Sequence, residues 1–150
     1  MATSVSKTGH VGINVSDLNR SIDFYKEVFD FEVLNRSGDD GPQFAFLGEG
    51  GRLLITLWEQ AESSYDRSAA GLHHLSFELE NVDDLSVFES RLRERDAKIY
   101  HQGVVAHAEG ADSGGLFFED PDGTRLEVYV PTGLESHAAP SGDAPTCGFF

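Results

Sequence analysis

The chain has 150 residues, 39% hydrophobic and 25% charged, with 26 Asp+Glu against 11 Lys+Arg for a formal net charge of −15. That balance argues against a nucleic-acid backbone or an anionic membrane surface as the main partner, and the apolar share excludes wholesale disorder. The single cysteine, Cys147, excludes an intrachain disulfide framework and a cysteine-rich zinc site. No run approaches the roughly 18 apolar residues of a membrane span. The opening MATSVSKTGH lacks the pattern of a secretion signal, so a cytoplasmic location is expected.

In chain order, Val11, Ile13 and Val15 share one face and His10, Gly12 and Asn14 the other, the period of a half-buried strand. Ser16 or Asp17 can cap a helix whose stripe is Leu18, Ile22, Tyr25 and Val28. Short strands are expected near 31–36, 42–47 and 53–59, separated by the turn-rich SGDDGP and GEGG segments. The stretch AESSYDRSAAG (61–71) is polar and small and reads as a connector. After it the succession recurs. HLSFELENV (74–82) repeats HVGINVSDL (10–18) at an offset of 64, so His10 falls on His74, Ile13 on Phe77 and Val15 on Leu79. Leu75, Phe77 and Leu79 oppose His74, Ser76 and Glu78, and alternation sends His73 to the helix-facing side. A helix is expected from about Asp83 to Arg95 on Leu85, Phe88 and Leu92. Strands follow near 98–101, 114–119 and 125–130, the last after an Asp120–Gly123 turn.

The fold class is therefore α+β, with two repeated βαβββ modules at residues 8–60 and 72–131, joined by 61–71. The tail, 132–150, is rich in Gly, Pro, Ala and Ser and is expected to be loose. Its last residues, Cys147 to Phe150, are apolar enough to dock on a surface such as a partner subunit.

Residues 55–58 (ITLW) align with 126–129 (LEVY) at an offset of 71, so Thr56 stands where Glu127 stands. Alternation puts Glu127 on one face with Arg125 and Tyr129. If the copies pair about a pseudo-twofold axis, their polar faces form a curved mixed sheet lining one cup that contains His10, His74 and Glu127. Two neutral imidazoles and one carboxylate make a facial triad for a divalent metal, with positions left for substrate and for O2 or water. No fourth ligand for a closed zinc site is evident. Trp58 and Tyr129, repeat-related on the polar faces, are placed either to flank a bound ring or simply to line the cavity.

The strings GHVGINVSDLNRSIDFYKEVFDFEV, GLHHLSFELENVDDL and FFEDPDGTRLEVYVPTG resemble the vicinal oxygen chelate superfamily, which includes glyoxalases, extradiol dioxygenases, fosfomycin-resistance enzymes and bleomycin-binding proteins. The resemblance covers about residues 8–133. It implies a single domain of paired βαβββ modules around a metal cup, a homodimer, and metal-ligand roles for His10, His74 and Glu127. Departures narrow the activity. Glyoxalase-type sites usually carry a second carboxylate at the position of Thr56, and fosfomycin-modifying relatives a Thr or Cys at the position of Gly12. Bleomycin-binding relatives typically lack the ligands. The His-His-Glu set is similar to extradiol ring-cleaving dioxygenases, although Phe117 stands where those enzymes place a Tyr. His107 lies 127 − 107 = 20 residues before Glu127 where they use about nineteen, and Glu59 falls where another histidine is common. The resemblance then implies Fe(II), with Mn, Ni or Zn as alternatives, and a catecholic small-molecule substrate. It makes His107 the acid–base group and Thr56, Trp58, Phe117 and Tyr129 the substrate-binding residues. The other readings are a protein that sequesters an aromatic or antibiotic-like ligand, and a metal-dependent isomerase or thiol transferase.

Overall fold

Hydrophobic alternation and two helical stripes organise the chain into two units, Met1–Ser64 and Tyr65–Phe150, in a computed structural model that describes all residues 1–150. In the first unit β1 (Val11–Val15) leads into α1 (Leu18–Phe29), followed by β2 (Glu32–Arg36), β3 (Phe44–Glu49) and β4 (Arg52–Glu59). Asp17 is the cap: its side chain accepts from the Arg20 N–H at 3.0 Å. Glu59, at the end of β4, accepts from the Leu18 N–H at 2.7 Å and so satisfies another orphan donor of the same helix end. The chain leaves α1 through Asp30 in the left-handed region, φ 58°. Leu18, Ile22, Tyr25 and Val28 are buried on the helix, as are Ile13, Val15, Ile55 and Leu57 on the sheet.

The second unit repeats the plan with β5 (Leu75–Glu78), α2 (Asp84–Glu94), β6 (Val105–Ala106), β7 (Gly114–Glu119) and β8 (Arg125–Val130). The sheets are mixed and four-stranded, ordered β1-β4-β3-β2 and β5-β8-β7-β6. The outer pairs β1/β4 and β5/β8 are parallel and the remaining pairs antiparallel. The repeat extends to the register. Gly12 faces Thr56 and Ser76 faces Glu127, and 12 + 64 = 76 while 56 + 71 = 127. Likewise Phe46 faces Thr56 and Phe117 faces Glu127. This keeps Arg125, Glu127 and Tyr129 off the face where Leu126, Val128 and Val130 are buried, which a slip of one residue would exchange.

Two expectations need correction. The strand near 98–101 does not form: Ile99 makes only an isolated bridge to Phe118, and Tyr100–Gln102 turn back with His101 and Gln102 at φ 57° and 64°. Left-handed residues cannot continue a strand, so the edge passes to the two-residue β6. The tail is not loose. Leu134, Thr146 and Phe150 are buried, and Leu134, Ala106, Glu109 and Thr146 donate backbone N–H groups to Asp112, Ala138, Gly142 and His107. Its last residues dock on their own unit. A few anchors in a Gly/Pro/Ala background suffice, because each neighbouring backbone group also finds a partner.

Gly115 lets β7 lie close against β8, since a Cβ there would meet the Val128 carbonyl oxygen at 1.9 Å. Phe118, fully buried beneath the second sheet, should cost about 3–5 kcal/mol when cut to Ala, against about 1 kcal/mol for loss of the exposed Asp17 cap in Asp17→Ala. Urea unfolding of the two variants should show that ranking.

Candidate functional site

Glu127 projects from the middle of β8, on the face opposite the buried Leu126 and Val128, and is itself only 3% exposed. A carboxylate so placed must be paired. His107, just beyond β6, places Nε2 2.5 Å from Oε1, and His74, just before β5, places Nε2 3.5 Å from Oε2. Burial favours the neutral acid. Hydrogen bonds from His107 and His74, the charge attraction of His107, and a hydrogen bond from Ser76 overcome it and bring the Glu127 carboxyl from 4.5 down to about 2. The carboxylate is therefore ionised across the physiological range.

Each imidazole is held from behind. His107 Nδ1 lies 2.9 Å from the Ser113 hydroxyl, and its ring packs against Phe117 and Tyr129, with centroids at 6.1 and 5.5 Å. Tyr129 is in turn fixed by donating to Glu78 at 2.8 Å. His74 Nδ1 lies 2.8 Å from His73 Nδ1. Burial, and then the Arg125 guanidinium, push His73 below the ordinary imidazole range, so it is the neutral partner. When the His74 proton resides on Nδ1, His73 accepts it and Nε2 is left with a lone pair.

The donor chemistry fits a divalent ion. Two ligands at about 2.1 Å from one metal, at angles of 90–109°, stand about 3.0–3.4 Å apart. The 3.5 Å between His74 Nε2 and Glu127 Oε2 is close to that. No group of three or more His, Cys, Asp or Glu side chains is already gathered at metal-binding geometry. The second unit thus brings together His74, Glu127, His107, Phe117 and Tyr129. His10 lies exposed immediately before β1 in the first unit. There Thr56 is buried and accepts from Trp58 Nε1 at 3.0 Å, and Trp58 packs on Phe44 and Phe46 with centroids at 5.2 and 6.2 Å.

Two placements differ from sequence expectation. His73 does not turn under the helix: β5 begins only at Leu75, and both histidine rings lie beside Phe150. Phe117 is fully buried, covered by Phe150 at 4.7 Å between centroids. Glu59 accepts from the Leu18 N–H and Glu78 from the Tyr129 hydroxyl. Ser113 and Phe150 carried no periodic signal, whereas Arg125 was already on the Glu127 face by alternation. Burial, and then the charge of Glu127, push the Cys147 thiol up, so it is no thiolate nucleophile.

The family model of the Glyoxalase/Bleomycin resistance protein/Dioxygenase superfamily matches residues 7–128. A catechol-2,3-dioxygenase of Bacillus subtilis is 30% identical over 85% of the chain, which spans only 44% of that enzyme. The crystal structure of a glyoxylase/bleomycin resistance protein/dioxygenase domain from Frankia sp. EAN1pec superposes with a TM-score of 0.74 at 33% identity, covering 89% of this chain and 96% of that one. The fosfomycin resistance protein FosX of Listeria monocytogenes, solved with Mn(II) and sulfate, shares the fold at 19% identity, TM-score 0.66, over 86% and 95% of the two chains.

Because the folded Glu127 carboxyl releases its proton at lower pH than the unfolded one, its stabilising contribution to metal-free protein is complete above about pH 4.5 and is lost as pH falls towards about 2. Urea midpoints across that window should fall for the wild type, and Glu127→Gln should remove this part of the slope.

Proposed function

As the chain belongs to the glyoxalase/bleomycin resistance protein/dioxygenase superfamily, of the vicinal oxygen chelate type, we propose that it is a metal-dependent enzyme that opens catecholic rings by extradiol cleavage. The observation that carries this reading is the buried, ionised Glu127 with one imidazole at coordinating separation and a second hydrogen-bonded to it. Glu127 and His74 are the proposed ligands in the second unit, and His10, the repeat counterpart of His74, the proposed third. Fe(II) is favoured and Mn(II) is the first alternative. When bound, the metal would polarise two vicinal oxygens and offer a place for O2.

The remaining chemistry belongs to the chain. His107 donates from Nε2 to the ionised Glu127, which fixes the ring and leaves Nδ1 as its basic atom. Ser113 Oγ, 2.9 Å from that atom, can pass a substrate hydroxyl proton to it. Glu127 can thereby ligate through Oε2 while Oε1 keeps His107 aligned. Phe117 and Tyr129 both pack against the His107 ring. In the first unit Trp58, held by Thr56, offers a face on which an aromatic substrate can stack. A homodimer in the cytoplasm is part of the same proposal, and no helix of the chain is long and apolar enough to cross a membrane.

Metal analysis of anaerobically purified protein and oxygen uptake with catechols test the proposal together. His74→Ala and Glu127→Ala should each abolish stoichiometric metal, His10→Ala should do the same, and His73→Ala should weaken binding roughly tenfold. His107→Ala should retain metal and lose about 10²–10⁴-fold in turnover. Full metal occupancy in Glu127→Ala would overturn the ligand set. Metal-loaded protein that consumes no O2 with any catechol would overturn the ring-cleavage reading and favour sequestration or a non-oxidative enzyme.

A further inference from the structure

Phe150 occupies a built seat on the same sheet face as Glu127. Phe150 is 6% exposed, and its ring meets Phe117, Tyr100 and His74 edge-on, with centroids at 4.7, 5.2 and 5.5 Å, and His73 at 6.5 Å. Val105 closes the same cluster. Arg125, itself only 6% exposed, donates from Nη1 to the Phe150 backbone oxygen at 2.5 Å and holds its guanidinium 5.7 Å from the ring. Arg125 is kept in place by donating from Nε to the His73 carbonyl at 2.7 Å. The seat combines an aromatic box with one aimed cation, the composition of a small-molecule site.

The occupant also defines a chemical class. Between the ring and the oxygen bound by Arg125 stand the Cβ, the Cα and the carbonyl carbon, the skeleton of a 3-arylpropanoyl group. We infer that this seat is a binding subsite for 3-arylpropanoates, in which the chain's own Phe150 is the resident competitor. The inference deepens the proposed function, on which it rests for the idea that the substrate is aromatic: it adds a carboxylate, two carbons from the ring, as the handle that Arg125 reads. The adjacent segment is secured independently, since Thr146 donates its N–H to the His107 carbonyl at 2.7 Å and is fully buried. Phe150 can therefore leave its seat without unfolding residues 132–146.

The test needs neither metal nor dioxygen, so its outcome is separate from that of the oxygen-uptake experiment. Calorimetric titration of the full chain with 3-phenylpropanoate, in the presence of a chelator, is made on wild type and on Phe150→Ala. The variant, whose seat is free, should bind about tenfold or more tightly than wild type, because a seated Phe150 reduces the competent fraction. Propylbenzene, which has the ring without the carboxylate, should bind the variant at least about tenfold more weakly than 3-phenylpropanoate. Equal affinity of the two proteins for 3-phenylpropanoate overturns the inference. So does equal affinity of the variant for both compounds, the behaviour of an apolar hole left by a deleted ring. Should Phe150→Ala not fold, amide exchange in wild type decides. Faster exchange at residues 147–150 on adding 3-phenylpropanoate supports displacement, and unchanged exchange overturns it.

Discussion

A single carboxylate, buried and ionised, organises the second half of this protein. Burial at such depth favours the neutral acid of Glu127, and the two imidazoles, with Ser76 beside them, hold it charged. Everything near it follows from that requirement. His107 is braced by Ser113, Phe117 and Tyr129, and His74 by His73, because a donor that wanders would leave a buried charge unpaired. The hydrogen-bonded order that suits an ion-binding site is thus also the order that folding demands of an acid in that position.

The two units share register but not chemistry. At the position of Glu127 the first unit has Thr56, which spends its oxygen on the Trp58 indole and leaves an aromatic face of Trp58, Phe44 and Phe46. Duplication preserved the backbone pairing, Gly12 with Thr56 and Ser76 with Glu127, while the side chains diverged into one aromatic and one charged surface. Only the second copy therefore carries a carboxylate at the centre of its sheet.

The tail changes how the site is read. Composition alone makes residues 132–150 look like a solvated extension. The fold uses them to cover Phe117, to fasten the His107 backbone through Thr146, and to seat Phe150 against His74. A cysteine that would otherwise invite a nucleophilic role is held as a thiol by burial and by the neighbouring carboxylate. The segment is a wall of the site, built from residues with no counterpart in the first repeat.

Sequence by itself determined the repeat, the strand faces and the residues that carry charge on them. Offsets of 64 and 71 put Ser76 and Glu127 in the same relation as Gly12 and Thr56, and period-two alternation separated Glu127 from Leu126 and Val128. These features are local, since the pleat alone dictates them. Tertiary structure decided the partners. The His107–Glu127 contact spans 20 residues, Arg125 to Phe150 spans 25, and Arg125 to His73 spans 52. No short-range period encodes such pairings, which arise only when the loops and the tail close over the face that the strands had already prepared. The same holds for residues 98–102, where extended propensity gave way to left-handed backbone at His101 and Gln102 as the chain turned into the edge of the sheet.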